Sequence, residues 1–225
     1  MRLIADVDTG IDDALALVLL AARPDVDLVG VSTTTGNTTA ARAARNSAAV
    51  LALAGRPGVP VWTGSGRPLV VEPETTPQTH GDEGLGRAAL PDASGALHPG
   101  DPITGLWLPQ LRAHPGETTL LVTGPLTNLA LALRAEPRLP RLARRVVIMG
   151  GSFNHPGNTL PTSEWNAWCD PHAAAEVYAA FEGLPAERLP LVCPLNVTET
   201  VELRPGVLDG IAGRIGVDAP HLGPD

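Results

Sequence analysis

Apolar residues come in short runs that end in polar turns, and between those runs they recur at helical spacing. The runs at 3–7, 26–33, 59–62, 119–123, 145–149 and 189–195 predict strands. Segments 12–22, 39–54, 126–135 and 171–181 carry their apolar side chains on one helical face and predict helices. Strand–helix alternation of this kind predicts an α/β fold: an open, mostly parallel, Rossmann-like sheet with helices on both faces. Ligands of such sheets bind at the carboxyl ends of the strands, so an active site is expected there. The stretch 63–104 is rich in Gly, Pro and acid and breaks the rhythm. A segment that long and irregular reads as a functional loop or a disordered one. No repeat or linker divides the chain, so residues 1–225 are read as a single domain.

Composition narrows the function classes. With 225 residues, 44% of them hydrophobic, the chain can bury one sizeable core. A formal net charge of −8 argues against nucleic acid or an anionic membrane surface as partner. All sixteen basic residues are arginine, which excludes lysine Schiff-base chemistry and a lysine-built phosphate site. Two cysteines far apart, Cys169 and Cys193, give neither a disulfide framework nor a zinc motif. The longest early apolar run, 14–22, is well short of the roughly 20 residues that span a bilayer. A cytoplasmic protein is the expectation.

The first predicted strand ends in an unusual concentration of charge: "LIADVDTGIDDALAL" places Asp6, Asp8, Asp12 and Asp13 within eight positions. Acids at a helix start gain about 0.3–1 kcal/mol each from the dipole, which accounts for Asp12 and Asp13 but not for Asp6 and Asp8. Two carboxylates about 4 Å apart repel by roughly 1 kcal/mol in water and roughly 4 at a partly buried site. Hard carboxylate oxygens suit Ca²⁺ or Mg²⁺, so a divalent-cation site is expected. An EF-hand is excluded, because the last three places of its motif, counted from Asp6, hold Gly10, Ile11 and Leu17 in place of Asp/Asn, Gly and Glu. A strand ending in D-x-D also resembles phosphatases of the haloacid dehalogenase type, with Asp6 as nucleophile and Asp8 as acid/base. Those enzymes normally use a lysine, which this chain lacks.

Three further stretches follow predicted strands: "TTGNTT" at 34–39, "VTGPLTNLALAL" at 122–133 and "VIMGGSFNHPGNTLPTSEWNAWCDPHAAAEV" at 147–177. Together with "DVDTGIDDALAL", in this order, they resemble the inosine/uridine-preferring nucleoside hydrolase family from about residue 3 to about residue 200. The resemblance implies a Ca²⁺-dependent nucleoside N-ribohydrolase that cleaves ribonucleosides to ribose and free base. It implies that Asp8 is the metal-bound general base, that Asp13 and the main-chain carbonyl of Thr123 are further Ca²⁺ ligands, and that Asp6 stands beside the metal without touching it. Asp12, Asn37, Asn158, Glu164 and Asn166 match the set around the ribose, with Met149 near it and His80 near the base. The partner is then a small-molecule ribonucleoside, and the assembly a homodimer or homotetramer.

The chain departs from the family pattern in places. Members are usually longer and carry a C-terminal His-Asp pair, which "HLGPD" at 221–225 does not reproduce, so the C-terminal portion is expected to be lacking. Thr9 stands where proline is commoner and Asn196 where aspartate is usual. A truncated or non-catalytic relative is the alternative reading, and the phosphatase a more distant one.

Overall fold

The computed structural model describes every residue except 92, 94–96, 203, 205 and 208–225; the "HLGPD" stretch therefore lies outside the described residues. The first half of the chain runs β1 (Arg2–Val7), α1 (Ile11–Ala22), β2 (Asp27–Thr33), α2 (Ala40–Leu53), β3 (Val61–Thr63), α3 (Pro77–His80) and β4 (Leu97–His98). A wide π turn, Ile103–Trp107, then leads into α4 (Leu108–Ala113). The second half runs β5 (Thr118–Val122), α5 (Thr127–Ala135), α6 (Leu139–Leu142), β6 (Arg145–Met149), α7 (Trp165–Cys169), α8 (Pro171–Phe181), β7 (Leu191–Cys193) and α9 (Leu195–Thr198).

The seven strands of the described residues are all parallel, in the order β4-β3-β2-β1-β5-β6-β7. The chain winds outward from β1 in one direction and from β5 in the other. A crevice therefore opens between the carboxyl ends of β1 and β5, the point where doubly wound sheets bind ligands. The expected fold class is what forms.

Both faces of the sheet are buried, which explains the near-continuous apolar runs. Side chains alternate along β1: Leu3, Ala5 and Val7 pack with α1 and α2, while Ile4 packs with α4, α5 and α8 on the other face. Asp6 shares the parity of Ile4 and is therefore carried into that second interface. α1 buries Asp13, Leu17 and Ala21, one turn apart, and leaves Ile11, Leu15, Val18 and Leu19 exposed.

The structure departs from the sequence reading mainly in the middle of the chain. The irregular stretch contains α3 and β4, and α4 follows it; no pattern had predicted any of the three. β7 is also shorter than the predicted 189–195, because Pro190 and Pro194 bound the three residues that pair with β6. Among the described residues no helix is long and apolar enough to cross a membrane.

Candidate active site

Strand parity and the turn after β1 bring three of the four aspartates into the interior. Asp6 is fully buried, and its Oδ1 accepts from Ser32 Oγ at 2.6 Å and from Asn128 Nδ2 at 2.8 Å. Trp107 Nε1 donates to the same Ser32 hydroxyl at 2.9 Å. Burial pushes the Asp6 carboxyl up to about 7, against the two hydrogen bonds that favour its charged form, and the charge of Asp13 adds to the rise. Asp8 is equally buried, and its Oδ2 accepts the Asn37 amide at 2.6 Å. Its carboxyl is held well above the usual carboxylate range, first by burial and then by the charge of Asp13.

Asp13 sits in the first turn of α1, where its Oδ2 accepts the Gly10 amide at 3.2 Å. Its Oδ1 accepts from Thr123 Oγ1 at 2.6 Å, which joins the end of β1 to the end of β5. Burial, and next the charge of Asp12, raise it to about 6. The interaction between the Asp8 and Asp13 carboxyls raises Asp8 and lowers Asp13.

Above these acids opens a cleft of about 340 Å³, the size of an ordinary small-molecule site. Asp12, exposed at the start of α1, and Asn37, after β2, line one side of it with His80 of α3. His80 Nδ1 accepts the Ile11 amide at 3.2 Å, an arrangement that selects the tautomer with the proton on Nε2. Burial lowers the pKa of this imidazole, against the charge of Asp12, and so favours the neutral ring.

Thr123, Met149, Asn158, Glu164 and Asn166 line the other side. Glu164 caps α7, its carboxylate accepting the amides of Asn166 (2.9 Å), Ala167 (3.1 Å) and Gly151 (2.9 Å). Asn158 Oδ1 accepts the Trp165 amide at 2.9 Å, which leaves its Nδ2 free for the cleft. Asn166 Nδ2 donates to the Thr123 carbonyl at 2.6 Å and reaches the Met149 carbonyl and sulfur at 3.2 and 3.3 Å.

The structure thus gathers all eleven residues singled out from the sequence around one strand edge, in two layers. Eight line the cleft, whereas Asp6, Asp8 and Asp13 are buried beside it and are not among its lining residues. The reason is steric: the loops after β2 and β5 pass so close that a Cβ on Gly36 would lie 2.2 Å from Asp8 Oδ2, and one on Gly124 would lie 3.2 Å from Asp8 Oδ1. The burial of Asp6 removes the phosphatase reading, since a nucleophile must reach its substrate. Asn196 is exposed at the start of α9 and does not line the cleft.

Ser32, Trp107, Thr127, Asn128 and Asp170 surround the site without having been singled out as site residues. Thr127 and Asn128 stand in the quoted 122–133 stretch and Asp170 in the quoted 147–177 stretch, whereas Ser32 and Trp107 lie in none.

Whether these residues fit a cation is decided by two buried oxygens. Asp6 Oδ2 and Asp8 Oδ1 are shut off from solvent, and among the described residues no N–H or O–H donates to either. Orphaned carboxylate oxygens beside a second acid and a strand-end carbonyl form a hard, electron-rich set, the kind that takes Ca²⁺. Among the described residues no group of three or more His, Cys, Asp or Glu side chains is arranged to hold a metal. Asp8, Asp13 and the Thr123 carbonyl could therefore supply part of a shell, with sugar or water oxygens completing it.

The same arrangement of strands and motifs occurs in known proteins. The family model described as inosine-uridine preferring nucleoside hydrolase matches residues 3–218. An uncharacterized protein of Schizosaccharomyces pombe is 39% identical over 219 residues, covering 96% of this chain and 69% of its own. A rice protein named probable uridine nucleosidase 2 is 36% identical over 201 residues, covering 89% of this chain and 58% of its own. The solved structure of an inosine-guanosine nucleoside hydrolase superposes with a TM-score of 0.83 at 30% identity, covering 95% of this chain and 68% of that one. The chain thus spans about six- to seven-tenths of the length of these relatives. With the match running through almost the whole sequence and the motif residues converging on one cleft, the chain belongs to the inosine-uridine preferring nucleoside hydrolase family.

Proposed function

We propose that the chain hydrolyses the N-glycosidic bond of ribonucleosides, using Ca²⁺ at the Asp8–Asp13–Thr123 set. The observation that carries this reading is the layering of the site. Buried carboxylate oxygens without a donor lie beside a cleft lined by amides and carboxylates, the groups that bind sugar hydroxyls. A bound Ca²⁺ would supply Lewis acidity to water and to the sugar hydroxyls.

The chain's own residues do the rest. Asp8 takes the proton of the water that attacks C1′ as the bond from C1′ to the base nitrogen breaks, and the base leaves with that electron pair. Positive charge develops on the ribose ring in such a reaction, and the surrounding acids stabilise it. Asp12 accepts from ribose hydroxyls at the rim, while Glu164, Asn158 and Asn166 fix the sugar against Met149. His80, neutral and with Nε2 protonated, is a donor for the base. One relative is named for uridine and another for inosine and guanosine, so the reading is confined to ribosides as a class.

Ribose release from inosine and uridine tests the proposal, with Asp8→Asn and Asn166→Ala beside the unaltered chain. Asp8→Asn is expected to lower turnover by about 10²–10⁴-fold and Asn166→Ala to raise KM. Full turnover in Asp8→Asn would remove Asp8 as the base, and absence of turnover in the unaltered chain would remove the reading.

A further inference from the structure

Behind the residues that face the cleft, two consecutive side chains at the start of α5 are tied to both of its walls. Asn128 is almost wholly buried and uses every polar atom. Its Nδ2 donates to Asp6 Oδ1 at 2.8 Å and to the Thr33 carbonyl at 2.9 Å, and its Oδ1 accepts the Ser65 amide at 2.9 Å. The chain leaves room for it: a Cβ on Gly64 would lie 2.5 Å from Asn128 Nδ2. Thr127, its neighbour, is equally buried and faces the other wall. Its hydroxyl donates to Asp170 Oδ2 at 2.8 Å, an oxygen that also accepts the Leu69 amide at 2.8 Å. Asp170 ends α7, the five-residue helix that carries Glu164 at its start and Asn166 in its first turn, and its Oδ1 caps α8 through the Ala173 amide at 3.0 Å.

We propose that Thr127 and Asn128 are the positioning residues of this site, Asn128 fixing the acid layer through Asp6 and Thr127 fixing the ribose wall through Asp170. The inference rests on the hydrolase reading but concerns residues that touch neither substrate nor cation. The two side chains leave α5 at adjacent positions, roughly 100° apart around the helix axis. One rigid first turn can therefore hold both walls at a set separation. The segment between β3 and α3 is bound to the same pair, at Ser65 through Asn128 and at Leu69 through Asp170. Since Thr76 and His80 at the far end of that segment line the cleft, the crossbar reaches a third side of the site.

The two ties predict different kinetic signatures. Asn128→Ala frees Asp6, two residues before Asp8 at the same strand end, so kcat for inosine and uridine should fall by about 10²-fold with KM little changed, the cost of an ångström-scale misplacement. Thr127→Val keeps the side-chain shape but removes the hydroxyl. It should raise KM by about five- to tenfold, and Thr127→Ser should restore it. Should Asn128→Ala fail to fold, Asn128→Asp, which keeps the acceptor for Ser65, takes its place.

Amide hydrogen exchange supplies a readout independent of turnover. Thr127→Val should speed exchange at Asn166 and Ala167, and the Asn128 variant at Ser65, while Thr127→Ser changes neither. Lower melting temperatures with kcat, KM and those amides unchanged would reduce the pair to ordinary core residues and overturn the proposal. If the unaltered chain releases no ribose, the hydrolase reading falls, and the exchange data alone decide the positioning.

Discussion

A methyl group at position 36 would meet Asp8 Oδ2 at 2.2 Å, and nothing flexible there can yield, because the same oxygen already accepts the Asn37 amide at 2.6 Å. Gly36→Ala is therefore expected to cost about 1–3 kcal/mol of stability and to abolish activity by displacing Asp8. Gly58→Ala, where an added Cβ meets nothing within 4 Å, should stay within about 0.5 kcal/mol of the unaltered protein. Chemical denaturation of the two variants checks this; equal losses would show that the Asp8 loop yields freely. Asp8 carries the opposite balance. Its buried carboxyl is costly to ionise beside Asp13, so Asp8→Asn should leave the chelator-treated protein at least as stable as before while lowering turnover by about 10²–10⁴-fold. A residue that lowers stability where it supports chemistry marks a functional site. Thermal melts in chelator, set beside ribose-release assays, would show it; a clear drop in melting temperature would mean that Asp8 is a structural acid.

At the scale of elements, Glu136 joins three helices. It follows α5, its carboxylate accepts from Arg112 of α4 at 3.0 and 3.3 Å, and it accepts from Arg138, just before α6, at 2.9 and 3.1 Å. The hydrogen bonds from Arg138, then those from Arg112, hold the carboxyl down at about 2. A depressed acid contributes stability that is present above its unfolded value and lost as pH falls through the folded one. Glu136→Gln should therefore lower the melting temperature at pH 7, and the gap should close between about pH 4.5 and pH 2. A gap that persists at the acid end would assign the effect to packing. The elements themselves were legible to the extent that they are periodic. β1, β2, β5, β6 and the helices α1, α2, α5 and α8 could be read because each buries a regular face. α3 and β4 could not, since the order of their segment comes from distant partners: Thr76 N–H on the Asn37 carbonyl, Ser65 N–H on Asn128. The site divides the same way. Its acids and amides stand in quoted motifs, but the bonds that Ser32, Trp107 and Asn128 make around Asp6 join residues 26 to 122 apart. The burial of Asp8 was equally hidden, because a charge pattern at a strand end does not show which loops will close over it.

For the whole molecule, the consequence is that one small site joins the two windings of the sheet. Asp8 and Asp13 belong to the β1–α1 turn, and Thr123 follows β5, with the Thr123–Asp13 hydrogen bond linking positions 110 residues apart. Three buried acids raised toward neutrality oppose this closure while they ionise. A cation seated among them would remove the repulsion and tie both windings at the crevice where they part. Anything that binds the folded state and not the unfolded one stabilises by RT ln(1 + [L]/Kd), about 2.7 kcal/mol at a hundredfold excess over Kd. In a domain of this size that corresponds to a rise in Tm of about 5–10 °C. Melts with excess Ca²⁺ and with chelator should therefore separate by about this interval in the unaltered chain, and should coincide in Asp8→Asn, which loses a ligand. The order of the two proteins should also reverse, with the variant at least as stable in chelator and the unaltered chain ahead in Ca²⁺. The same melts in NaCl at matched ionic strength separate such a reversal from salt screening, which acts only weakly on buried charges. Identical melts of the unaltered chain in Ca²⁺ and in chelator would mean that the acids manage their charge by sharing protons.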